Sequence, residues 1–169
     1  LADLKQINIC PGFIARTVEG NFTTLGRGGS DYTAALFANF YKASVLEIWS
    51  DVSGLMTVDP RLVTAARVIP QLSYEDALEL SHFGAKVIYP PTIQPALEQN
   101  IPIIIKNTFK LRDLGTKITS SWEDNSTIKG ISSIDEICLL NLSGIGMVGI
   151  PNFSARFFQA LADRNINVI

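Results

Sequence analysis

Histidine is almost missing from this chain, and cysteine is scarce. The single His82 stands near the end of an expected helix, where a surface or capping role accounts for it, so histidine-based acid-base or triad chemistry has nothing to build on. Cys10 and Cys138 are far apart and have no partner spacing, which excludes a disulfide framework and a zinc site; both are expected as plain core thiols. Charge is thin as well. Only 18% of residues are charged, the formal net charge is -2 and the pI is near 5.4, so the clustered basic face that nucleic-acid binding needs is absent. No apolar run approaches the roughly 18 residues of a membrane-spanning helix, and the first residues carry no basic-then-apolar signal. The expectation is a soluble, cytoplasmic protein with no membrane partner. Asn21, Asn125, Asn141 and Asn152 each open an Asn-x-Ser/Thr triplet, but without a secretory signal chance explains them better than glycosylation.

What remains is apolar and patterned. A hydrophobic fraction of 47% is ample for a packed core, and 169 residues suit one domain or one plus part of another. Residues 7–13 form an apolar run ending near Pro11-Gly12, expected as a buried strand. A glycine-rich loop over 16–29 follows, then a helix to about Lys42, with Ser30 and Asp31 where an N-cap would sit. Residues 45–49 and 101–106 are expected as strands. Ser73 with Glu75 and Asp76 begins a second helix that Gly84 closes, and Pro90-Pro91 open a third to about Gln99. Continuous apolar strands alternating with helices predict a parallel sheet covered on both faces. Residues 110–129 turn polar and read as a connection. After it come an expected strand over 137–142, a glycine loop over 143–149, a helix over 153–164 and a strand over 166–169.

The chemistry concentrates in residues 23–31. Glycines let the backbone approach a ligand, the amides at the start of a helix favour an anion, and Arg27 adds a planar fork for a carboxylate or phosphate. A plain turn would use the same glycines. The spacing is neither a Walker loop nor G-x-G-x-x-G. Asp31 serves as a helix cap or as a charge that orients a lysine. Ser50 and Asp51 lie just past a buried strand, where ligands bind in open α/β sheets, although both are also ordinary turn residues. Arg61 follows Asp59-Pro60, consistent with a local ion pair. Lys86 stands in an apolar context and must reach water or meet an anion. The acidic residues show no metal-ligand spacing, so no protein-held metal is expected.

Residues 24–35, 49–54, 59–61 and 83–90 together resemble the aspartate kinases in order and spacing. Residues 73–80 and 105–108 look closest to the kinase part of bifunctional aspartokinase-homoserine dehydrogenases, and the tail from Lys129 is similar to the first of paired ACT domains. The resemblance implies an α/β fold: the C-terminal half of an amino-acid-kinase three-layer sandwich over residues 1–118, a linker over 119–128 and the start of a ferredoxin-like ACT domain over 129–169. It implies transfer of the γ-phosphoryl of ATP to the β-carboxylate of L-aspartate, the first step toward threonine, methionine and lysine, with Mg2+ arriving on the nucleotide. Arg27 would hold the α-carboxylate of aspartate, with Ser30 beside it; Asp31 would orient the lysines of the site. Ser50, Asp51, Met56 and Arg61 would line the ATP pocket, and Lys86 would reach the phosphates. Ser143, Gly144, Ile145, Gly146 and Met147 would form an effector loop, for threonine rather than lysine, in a homo-oligomer paired through ACT domains.

Three features depart from the family pattern. The lysine motif K-F-G-G-[ST]-S is absent from this sequence, so the chain alone is expected to be inactive. Met56 and Ser50 replace a common tyrosine and threonine near the nucleotide, and Tyr89 replaces a common histidine. Competing readings are an isolated effector-binding module, and a kinase of the same fold acting on another carboxylate, against which the ACT-like tail argues.

Overall fold

The computed structural model describes residues 5–85, 87–122, 128–143 and 152–168. The chain divides into two compact units, residues 1–135 and 136–169. The first unit contains a four-stranded sheet in the order β3-β5-β6-β4, formed by β3 (Leu46–Ser50), β4 (Gln71–Ser73), β5 (Ile103–Asn107) and β6 (Thr116–Thr119). Strands β3 and β5 are parallel, as are β4 and β6, but β5 and β6 run antiparallel. The sheet is therefore mixed, not the parallel sheet expected. The reason is loop length: residues 108–115 are too few for the dozen or more that a parallel crossover needs, so the chain turns back beside β5.

Three helices lie on one face. They are α1 (Gly29–Tyr41), α2 (Tyr74–His82) and α3 (Ile93–Glu98), the last preceded by a 3-10 turn at Pro90–Thr92. Ala35, Ala38, Ala77 and Ala96 let the helices approach Leu46, Ile48, Leu72, Ile103, Ile105 and Ile118. Ile103, Ile105, Ile118 and Leu72 are fully buried, each contributing roughly 1.5–3 kcal/mol. The opposite face is open among the described residues, contrary to the expectation of cover on both. It carries Trp49 with Lys106 at 4.7 Å over its ring, and Glu47 in an ion pair with Lys106 at 3.3 Å.

Local chemistry explains the helix ends. Ser73 caps α2 in a reciprocal box with Asp76, as its spacing predicts. Helix α1 starts differently: its N-cap is Gly28 in the left-handed conformation, so Ser30 and Asp31 lie inside the first turn and neither side chain caps it. Residues 7–13 form no strand. A short hairpin of β1 (Ile14–Arg16) and β2 (Phe22–Thr24) follows it, reaching into the stretch expected as loop, and Ile7 and Ile9 are exposed. Cys10 and Cys138 are exposed as well, not core thiols. In the second unit α4 (Phe153–Ala162) forms where a helix is expected, while 137–142 and 166–168 form no strand. No helix among the described residues is long and apolar enough to cross a membrane.

Candidate functional site

Strands β3 and β5 end together, with Ser50 opposite Asn107. Asn107 is buried, and its Nδ2 donates to the Asp51 carbonyl at 3.2 Å and to Ser53 Oγ at 3.0 Å, while its Oδ1 accepts from the Phe109 N-H at 2.9 Å. Ser53 Oγ in turn donates to Asp113 Oδ2 at 2.6 Å. Thr116, fully buried, accepts from the Leu55 N-H at 2.9 Å and donates to the Ile69 carbonyl at 2.7 Å. Burying polar groups is costly unless they are bonded in this way, and here the bonds fix the loop after β3. Neither Asn107 nor Thr116 stands out in the sequence as a site residue. The available signal was a polar residue closing an otherwise apolar strand.

That loop forms one side of a cavity of about 470 Å3. Asp51, Val52 and Gly54 come from the loop itself, and Met56, Val58, Asp59, Pro60 and Arg61 from the segment that follows. Leu80, Gly84, Ala85 and Val87 close it from the end of α2, and Ile131, Ser132 and Ser133 supply the remaining wall. Gly84 has φ of 127° and lies against the Ser133 carbonyl, so no side chain fits there. Three of the residues expected at a nucleotide, Asp51, Met56 and Arg61, thus meet on one cavity. Ser50 does not line it; its Oγ accepts from the Val52 N-H at 3.3 Å. Arg61 forks onto Asp59, with Nη2 to Oδ2 at 2.6 Å, and this hydrogen bonding holds the Asp59 carboxyl below its usual range.

The glycine loop at the head of α1 is a separate feature. Gly28 takes φ of 73°, and the Tyr89 ring lies where a side chain on it would be. Thr33 Oγ1 donates to the Gly29 carbonyl at 2.7 Å and accepts from the Phe13 N-H at 3.1 Å, tying the hairpin to the first turn. Arg27 and Ser30 are exposed there. Asp31 is half-buried, burial raises its pKa, and no cation pairs with it among the described residues. Lys86 lies outside the described residues. Its neighbours Ala85 and Val87 line the cavity, and Tyr89 meets the glycine loop, so the same short segment touches both features. Of the expected effector loop, Ser143 is exposed in irregular structure, and Gly144, Ile145, Gly146 and Met147 lie outside the described residues.

A sequence profile described as the Amino acid kinase family matches residues 1–107, and one described as an ACT domain matches residues 140–169. The chain belongs to the amino acid kinase family. Both profiles agree with the fold class expected from the sequence, and the resemblance to aspartate kinases is borne out by individual relatives. The chain is 47% identical over 165 residues to the bifunctional aspartokinase/homoserine dehydrogenase of Haemophilus influenzae, an alignment covering 97% of this chain and 20% of that protein. It superposes with a TM-score of 0.76 and 38% identity on Escherichia coli aspartokinase III solved in complex with aspartate and ADP in the R-state, covering 93% of this chain and 35% of that one. The same enzyme in complex with lysine and aspartate in the T-state gives a TM-score of 0.67 at 36% identity, over 94% of this chain and 36% of that one. This kinase-family chain therefore spans about a fifth to a third of the length of these relatives.

Proposed function

We propose that the chain is the nucleotide-binding part of an aspartate kinase, joined to the start of an ACT regulatory domain, in an enzyme that moves the γ-phosphoryl of ATP to the β-carboxylate of L-aspartate. The observation that carries this reading is the cavity beyond the carboxyl ends of β3 and β5, where Asp51, Met56 and Arg61 converge on a volume suited to a small ligand. Phosphoryl transfer asks a protein mainly to position its reactants and to neutralise phosphate charge. Arg61 stands at the cavity with its side chain mostly exposed, free to exchange part of its bond to Asp59 for a phosphate oxygen. Met56 offers an apolar, adaptable surface to a base, and Lys86, between two lining residues, would reach the phosphates. Ser50 acts one step back, through the Val52 amide.

Arg27 and Ser30, exposed at the uncapped start of α1, would bind the α-carboxylate of aspartate, with Asp31 orienting the lysines. A half-buried carboxylate whose pKa burial raises gains from such a cation. Mg2+ would enter on the nucleotide, bound mainly through its phosphates. The loop 143–147 would take an amino-acid effector, threonine before lysine, in a cytoplasmic homo-oligomer serving threonine, lysine and methionine synthesis. Photolabelling the chain with Mg-8-azido-ATP tests the site. Label is expected in the peptides spanning 51–61 and 80–88 and should be competed away by Mg-ATP. Label spread over the open sheet face instead would refute it.

A further inference from the structure

The last wall of the cavity comes from a part of the chain that the amino acid kinase profile, ending at residue 107, does not reach. Residues 128–133 run along α2 as a strap, from Asp76 in its first turn to Gly84 just past its end, immediately before the second unit begins at Glu136. The strap is fastened at three places. Lys129 Nζ pairs with Asp76 Oδ2 at 2.8 Å, with side chains only 27% and 24% exposed. The Ile131 N-H donates to the Thr57 carbonyl at 2.8 Å, alongside Met56 and Val58 of the cavity wall. The Ser133 carbonyl lies over Gly84, the one position where a missing side chain lets it approach. Together these fastenings put Ile131, Ser132 and Ser133 on the cavity.

From this arrangement we infer that the strap is a working wall of the nucleotide site and that Lys129 is a positioning residue, holding that wall closed through Asp76. The inference rests on the nucleotide reading above. Asp76 has a second duty in the α2 capping box, where its Oδ2 accepts from the Ser73 N-H at 3.3 Å and its own N-H donates to Ser73 Oγ at 3.0 Å. Lys129 meets the same Oδ2 but supplies neither bond of the box, so removing its charge loosens the strap while Ser73 and Asp76 still cap the helix. A ligand that binds only the closed form loses affinity in proportion to the fraction that stays closed. A mostly buried pair of this kind is expected to change the closed-to-open ratio by roughly fivefold to tenfold, so the closed fraction falls by up to that factor.

The test is calorimetric titration of Mg-ADP into the whole chain carrying Lys129→Met, Lys129→Arg, Ile131→Pro or Asp51→Ala, beside the unmodified protein, with far-UV circular dichroism to check the fold. Lys129→Met should weaken binding measurably, by up to roughly tenfold, and rising salt should shrink the gap. Lys129→Arg should restore affinity to within about twofold, because an arginine reaches the same carboxylate. Ile131→Pro, which deletes the strap's bond to Thr57, should weaken binding in the same direction. Unchanged affinity in both Lys129→Met and Ile131→Pro, with Asp51→Ala still impaired, would overturn the strap and leave the nucleotide site standing. No Mg-ADP binding by the unmodified chain would overturn both.

Discussion

Replacing Thr116 with valine exchanges one hydroxyl for a methyl at constant volume, so no cavity enters the account. Thr116 is fully buried, and its Oγ1 serves the Leu55 N-H at 2.9 Å and the Ile69 carbonyl at 2.7 Å. Both backbone groups lie in residues that are themselves buried, so water is poorly placed to replace the hydroxyl. A buried polar group left without its partner costs about 1–3 kcal/mol, so two such groups, with some relaxation, give about 2–4 kcal/mol of lost stability. Urea unfolding of the chain followed by far-UV circular dichroism reads this directly. For a slope of about 2 kcal/mol/M the midpoint should fall by about 1–2 M with the slope unchanged. Thr116→Ser keeps the hydroxyl and drops only a methyl, and should cost about 1 kcal/mol. A valine variant within about 0.5 kcal/mol of the unmodified protein, or a serine variant worse than valine, would refute the claim that this hydroxyl pins the loop after β3.

Other outcomes follow from the same geometry. Gly28→Ala should cost at least about 2 kcal/mol, because backbone strain at φ 73° adds to a collision with the Tyr89 ring; Gly26→Ala, at φ 75° with open space around it, should cost only the strain of about 1–2 kcal/mol. Paired thermal melts compare them, and equal costs would mean the ring moves freely. Burial pushes the Asp76 carboxyl up, but hydrogen bonds from Lys129 and Ser73 outweigh it and leave its pKa below the usual 3.8. A carboxyl depressed in the folded state stabilises above its unfolded pKa and loses that contribution as pH falls through the folded one. Stability below about pH 4 should therefore fall more steeply in the unmodified chain than in Asp76→Asn. Urea midpoints between pH 6 and pH 2.5 measure the difference, and parallel profiles would contradict it. Arg61→Ala should leave the urea midpoint nearly unchanged, since the pair it breaks is exposed, while weakening Mg-ATP binding. A large loss of stability with unchanged binding would make Arg61 structural.

The elements legible in the sequence are those whose signals are local. The Ser73 box announces α2 by its own spacing, and the unbroken run in Ile103–Asn107 announces a buried strand. Strand β6 has neither kind of signal. Its residues Thr116–Thr119 are polar except for Ile118 and lie within a turn-rich stretch, and its place between β5 and β4 depends on partners more than ten residues away. The same dependence works in reverse at residues 7–13 and 137–142, where apolar composition suggests strands but no ladder partner lies alongside among the described residues. For the site, Asp51 could be suspected from its place just past a strand, whereas Met56 and Arg61 were expected there only through the resemblance to aspartate kinases. The strap could not be suspected, because nothing in residues 128–133 marks them as neighbours of residues 51–61. Asn107 and Thr116 escaped for a related reason: a buried polar side chain is recognisable only once its burial is known.

The central claim is that the cavity holding Asp51, Met56 and Arg61 binds a nucleotide. Calorimetric titration of Mg-ATP into the chain, with Asp51→Ala and Arg61→Ala beside it, tests this most directly. The account predicts one saturable site in the unmodified protein and clear weakening in both variants, with the fold unchanged. Binding that is absent, or that survives both substitutions at full strength, would contradict it.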